Sequence, residues 1–151
     1  QLVRDIVARH NIRPDRIIGH ADIAPGRKQD PGPSFPWKRL ADAGLIPWPD
    51  AALLDYKRQS WSLQPLPDAA WAQARLAQIG YAVPRSGTLD AATREVISTF
   101  QMKYRPADYR GELDVETVAL LDTVTTPGAM KLRTLPSDAA RTAAGANGSD
   151  Y

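Results

Sequence analysis

The sequence predicts an α/β segment followed by a small three-helix unit. Three observations predict it. Apolar residues recur at helical spacing across residues 1–10, a β-branched run ends at His20 and gives way to a proline-rich stretch, and the Gly87–Thr93 segment is echoed by Gly111–Thr117. The first two imply helix, strand, loop and short helix in that order, and the third implies a helical unit built on a repeated turn.

Leu2, Val3, Ile6 and Val7 set the helical period of the opening segment, and Pro14 ends it. No N-cap precedes Leu2, so the chain is expected to start inside a helix, as a piece of a longer protein does, with any export signal upstream. Arg16-Ile17-Ile18-Gly19-His20 reads as a short buried strand that delivers His20 at its end. Pro25, Pro31, Pro33 and Pro36 make Ala24 to Pro36 a stiff irregular loop, because each ring fixes φ and removes a donor. Phe35, Trp37 and Leu40 open a short helix that Gly44 stops. This first region covers residues 1–56. Residues 57–67 read as a linker within a proline-marked connection from Pro47 to Pro67, pinned by Trp48 and Trp61.

The second unit covers residues 68–127. Asp68, Asp90 and Asp114 are placed to cap its three helices. Ala69, Ala72, Leu76 and Ile79 face inward on the first, Thr93, Ile97, Phe100 and Tyr104 on the second, and Thr117, Leu120, Leu121 and Val124 on the third. In Gly87-Thr88-Leu89-Asp90-x-x-Thr93 and Gly111-Glu112-Leu113-Asp114-x-x-Thr117 the glycine permits a tight turn, the leucine plugs the core and the aspartate caps the helix. Residues 128–151, rich in Ala, Thr, Ser and Gly, read as a disordered tail.

A formal charge of +2 gives no case for nucleic acid and is compatible with an anionic polymer. The chain has no cysteine, which excludes disulfides, thiolate metal sites and a cysteine nucleophile. No apolar run approaches the ~20 residues of a membrane helix.

Chemistry concentrates in Gly19-His20-Ala21-Asp22-Ile23-Ala24-Pro25-Gly26-Arg27-Lys28-Gln29-Asp30-Pro31-Gly32-Pro33. An imidazole and a carboxylate are both zinc ligands. In an extended loop Lys28 points the same way as Asp30, which sets an ammonium beside the metal. On spacing alone two readings stay open: a metal pair, or a histidine closing a strand and an aspartate opening a Pro-Gly turn. His10 sits away from any motif and reads as a solvated surface residue. Arg27 reads as solvated too. Trp37, Trp48, Trp61 and Trp71 read as packing anchors before sugar-stacking platforms.

The run from Gly19 to Trp37 resembles the type 2 N-acetylmuramoyl-L-alanine amidases, including the Phe35-Pro36-Trp37 that follows the metal motif. The resemblance implies the C-terminal portion of an α/β amidase fold and hydrolysis of the amide bond between N-acetylmuramic acid (or its anhydro form) and the L-alanine of peptidoglycan stem peptides. It implies Zn²⁺ as cofactor, His20 and Asp30 as metal ligands and Lys28 as a catalytic residue. In that family the first zinc histidine and the catalytic glutamate lie far upstream, so the missing N-terminal portion is an expected partner of this segment. Residues 68–127 resemble the three-helix peptidoglycan-binding domain through Leu76-x-x-Ile79-Gly80-Tyr81, Phe100-Gln101 and the two turns. Peptidoglycan or muropeptides are the implied ligands, and the periplasm, with an outer-membrane lipoprotein as one form, the implied location. The rival expectation is a non-catalytic peptidoglycan-binding fragment with an incomplete amidase site.

Overall fold

The structure is a computed structural model that describes residues 1–135, and the predicted disorder of 136–151 lies outside the described residues. The opening helix, α1 (Leu2–His10), forms where its apolar period lies and ends on Asn11 in the left-handed conformation. A single 3₁₀ turn follows at Pro14–Arg16.

The strand predicted over 16–20 is not formed. Ile17 and Gly19 have extended backbone angles, but His20 begins a short helix, α2 (His20–Ile23). A strand needs a hydrogen-bonding edge beside it, and among the described residues none lies next to Ile17–Gly19. Ile18, expected to be buried, is 52% exposed.

The stretch from Ala24 to Pro36 is irregular, as its prolines predict. The next helix, α3 (Trp37–Asp42), buries Trp37 and Ala41 against Ile46, with Ile17, Phe35 and Trp48 packed around them. Trp48–Pro49 forms β1, which pairs antiparallel with β2 (Met130–Lys131). Two-residue strands carry no periodicity, and residues 128–131 belong to this closure rather than to a tail. Ala129 is buried, and its carbonyl accepts from the Asp50 amide at 2.8 Å.

Residues expected to form a wrapping linker instead form α4 (Ala51–Ser62), capped by the Asp50 carboxylate on the Leu53 amide at 2.9 Å. The half-buried positions Leu53, Leu54, Lys57, Arg58 and Trp61 do recur at helical spacing. The stripe is masked because two of them are cations. Their partners are on α7 (Val115–Val124): Arg58 forks onto Glu116, Lys57 meets Asp122 at 3.0 Å, and the Trp61 indole N–H donates to Asp122 at 3.0 Å.

The remaining helices are α5 (Ala69–Gln78) and α6 (Ala91–Tyr104). With α7 they enclose the main core of Ala72, Leu76, Val96, Ile97, Phe100 and Leu121. Each such large apolar side chain, moved out of water, contributes about 1.5–3 kcal/mol. Asp68, Asp90 and Asp114 cap these helices through the amides of Trp71, Thr93 and Thr117.

The repeated turn has a structural cause that lies outside the turn itself. Gln73 is 1% exposed, accepts from the Gly87 amide at 2.9 Å and donates to the Thr88 carbonyl and the Thr93 hydroxyl. Gln101 is 0% exposed, accepts from the Gly111 amide at 2.8 Å and donates to the Glu112 carbonyl and the Thr117 hydroxyl. Each buried carboxamide thus satisfies the same three groups of its own turn. Both turn glycines take positive φ, +70° and +77°.

Candidate active-site loop

His20 and Asp30 come together across the loop: the imidazole Nδ1 lies 3.1 Å from Asp30 Oδ2. The closure is made by the backbone, because the Ala21 amide donates to the Asp30 carbonyl at 2.8 Å. Further in, the Arg27 and Lys28 amides both turn back to the Ala24 carbonyl. The Asp30–Pro31 peptide is cis. Both chemical groups face solvent, with side-chain exposures of 46% for His20 and 67% for Asp30.

Lys28 is exposed and lies in the same loop without an ion pair among the described residues. Arg27 and His10 are exposed as well. Each tryptophan has a packing partner. Trp37 is in the core, Trp48 lies 5.1 Å from Tyr104, and Trp61 meets Trp71 edge-on at 5.9 Å.

The base of His20 is more tightly built than its tip. The Gly19 amide donates to Asp22 Oδ2 at 2.8 Å, and a side chain on Gly19 would lie 2.7 Å from the Pro31 ring and 3.2 Å from Trp37. The other oxygen of Asp22 accepts from the Tyr81 hydroxyl at 2.8 Å. Lys103 approaches Asp22 at 4.0 Å while its ammonium sits 4.8 Å above the Trp37 ring. Burial pulls the Lys103 ammonium below its ordinary pKa, and the negative charge of Asp22 opposes that. Burial, with Asp22 beside it, pushes the Tyr81 phenol well up, so it stays a hydrogen-bond donor. A cavity of about 310 Å³ opens beside this cluster, lined by Ile18, Asp22, Tyr81, Lys103, Tyr104 and Met130 among others.

Asp22, Tyr81 and Lys103 are therefore part of the site's surroundings and were not anticipated. Asp22 has a sequence signal, an acid three residues after the helix-starting Gly19. Tyr81 and Lys103 have none, since nothing local ties them to His20.

Nitrogen and carboxylate oxygen at hydrogen-bonding separation suit zinc in kind. They are one donor short of the three protein ligands of a catalytic zinc site, and no group of three metal-binding side chains occurs among the described residues.

Residues 1–33 match the family described as N-acetylmuramoyl-L-alanine amidase, and residues 66–121 the family described as "Putative peptidoglycan binding domain". Along most of its length the chain is similar to proteins named N-acetylmuramoyl-L-alanine amidases. It is 43% identical over 121 residues to N-acetylmuramoyl-L-alanine amidase AmiD of Escherichia coli (strain K12), covering 80% of this chain and 44% of that protein. A shorter match, 47% over 39 residues, covers 26% of this chain and 21% of 1,6-anhydro-N-acetylmuramyl-L-alanine amidase AmpD of Enterobacter cloacae. Among solved structures, AmpDH3 from Pseudomonas aeruginosa superposes with a TM-score of 0.73 at 41% identity, covering 82% of this chain and 48% of that one. E. coli AmiD, in complex with the substrate anhydro-N-acetylmuramic acid-L-Ala-D-gamma-Glu-L-Lys, superposes with a TM-score of 0.72 at 39% identity, over 86% and 50%. The chain thus spans about half the length of the relatives it matches along most of its own. No helix among the described residues is long and apolar enough to cross a membrane.

Proposed function

We propose that this chain is the C-terminal portion of a zinc-dependent N-acetylmuramoyl-L-alanine amidase of α/β amidase fold, acting on peptidoglycan-derived muropeptides in the periplasm. One observation carries the reading: His20 and Asp30, ten residues apart, meet at 3.1 Å inside a segment whose relatives are amidases. The substrate named for the solved AmiD complex makes the anhydro-muropeptide the first substrate to try.

His20 and Asp30 would hold the metal, with a third ligand and the general base supplied by the longer polypeptide. Zinc, when bound, supplies Lewis-acid polarisation of the reacting groups. Lys28 would place a positive charge where negative charge develops on the scissile carbonyl oxygen. It is no ligand, because a protonated ammonium has no lone pair. Residues 68–127 would hold the enzyme on its polymer, and an outer-membrane lipoprotein form would keep it near that polymer.

The test is Lys28→Ala in the complete polypeptide. Zinc content stays near that of the wild type while kcat falls by roughly 10²–10³, the usual cost of losing one oxyanion donor. Near-full kcat with normal zinc would remove Lys28 from catalysis.

The non-catalytic alternative rests on the absence of a three-ligand cluster among the described residues. A complete polypeptide that sediments with insoluble peptidoglycan yet binds no zinc and releases no L-alanyl peptide would establish it.

A further inference from the structure

We infer that the helical unit positions the metal-binding turn, through a joint of Tyr81, Lys103 and Asp22 that fixes the backbone beneath His20. The inference rests on the reading of His20 and Asp30 as metal ligands.

Asp22 stands two residues after His20 and divides its oxygens between two partners. Oδ2 takes the amide of Gly19, the residue just before His20, and Oδ1 takes the Tyr81 hydroxyl from the turn after α5. Lys103, in the last turn of α6, covers the same carboxylate from above Trp37. Trp37 in turn closes on Gly19. Three separate elements therefore converge on the one peptide that sets where the His20 ring begins. On the far side of the loop the Glu95 carboxylate of α6 lies over Gly26, so that any side chain at 26 would collide with it.

Stability alone does not account for this joint. Lys103 and Asp22 are both largely withdrawn from water, with side-chain exposures of 15% and 14%. Their 4.0 Å separation is too long for a direct hydrogen bond. Buried ion pairs of this kind are commonly matched or exceeded in stability by apolar replacements, because desolvation offsets the Coulomb gain. What a directional carboxylate bridge adds over an apolar contact is a fixed orientation. Groups that orient metal ligands without touching the metal typically change metal affinity or activity by about 10–100-fold when removed.

The experiment uses the complete polypeptide with Tyr81→Phe, which removes one hydroxyl and keeps the ring. Three quantities are read: zinc affinity by chelator competition, the absorption spectrum of the cobalt-substituted protein, and kcat and KM on an anhydro-muropeptide. Positioning predicts about 10–100-fold weaker zinc binding, an altered cobalt spectrum, and a fall in kcat with KM within about two-fold. Lys103→Met is the second variant, serving where Tyr81→Phe does not fold, with the same expected pattern. A joint that only supports the fold lowers the melting temperature and leaves zinc affinity and the cobalt spectrum unchanged, and that result overturns the inference. His20→Ala in the same protein separates the two levels. If it keeps zinc, the ligand assignment itself has failed and the inference goes with it. If it loses zinc while Tyr81→Phe and Lys103→Met match the wild type, only the positioning role is wrong.

Discussion

The loop from Ala24 to Pro36 and the two turns at Gly87 and Gly111 are all irregular segments bearing glycine, yet they are held in opposite ways. Each turn is closed from within the helical unit by a buried glutamine, Gln73 or Gln101, whose carboxamide meets an amide, a carbonyl and a threonine hydroxyl. The loop has no such internal peg. Its own contacts are a few backbone bonds and the exposed approach of Asp30 to His20; from other elements Glu95 lies over Gly26, while Trp37 on Gly19 and Tyr81 and Lys103 on Asp22 support the turn against which the loop closes. A turn that serves only the fold can bury its polar groups completely. On the function proposed here, the loop has to keep its reactive atoms open to a ligand, so its rigidity must come from behind.

The largest break in this comparison comes from the loop's exposed groups. In the complete polypeptide His20→Ala and Asp30→Ala should each lose zinc and all measurable amidase activity, because a metal site short of a ligand binds poorly. Denaturant unfolding of the zinc-free proteins should differ from wild type by less than about 1 kcal/mol, the scale of exposed ion pairs. A large loss of metal-free stability would show that the loop is a folding element after all.

Gln101→Ala should have the reverse profile. It orphans the Gly111 amide and the Thr117 hydroxyl in a dry interior, at about 1–3 kcal/mol for each group left unpaired. The melting temperature should fall by several degrees, and Gln73→Ala should match it in sign. If Gln101→Ala melts like the wild type, water or a rearranged turn replaces the carboxamide and the internal-peg account is wrong.

The helix caps give a smaller effect. Asp114→Ala removes the acceptor of the Thr117 amide and the partner of Arg105, at about 0.5–2 kcal/mol by thermal melting.

The smallest effect is the pH dependence of the same caps. Hydrogen bonds from Thr93 and Ser86 lower the Asp90 pKa. At Asp114 burial pushes the other way, and the bonds from the Thr117 amide and Arg105 outweigh it. Both folded-state values therefore lie below the unfolded carboxylate value of about 3.9. Their stabilisation is complete above that value and is lost as pH falls through the lower folded-state values. The unfolding midpoint should be unaffected by these two groups between about pH 5 and 7 and should drop below about pH 4, less steeply in Asp90→Asn. An Asp90→Asn curve parallel to wild type through acid would exclude that cap as a contributor.

What the sequence determined by itself was whatever short-range chemistry encodes. The three caps at Asp68, Asp90 and Asp114 follow from an aspartate at the head of a helical period, because the cap and the amide it accepts are only three residues apart. The inward faces of α5, α6 and α7 follow from apolar period, and the irregularity of Ala24–Pro36 follows from proline. The pairing of His20 with Asp30 was legible through the resemblance of its motif rather than from spacing. Tertiary structure decided the rest. It made a helix of Ala51–Ser62, whose buried stripe is cationic and becomes intelligible only beside Glu116 and Asp122 of α7. It left Ile17–Gly19 extended without a ladder, since a strand exists only where a second edge meets it. It brought Tyr81 and Lys103 to Asp22 across 59 and 81 positions of chain, a distance over which no local pattern carries information, so that only the packing of α5 and α6 under the loop could place them there.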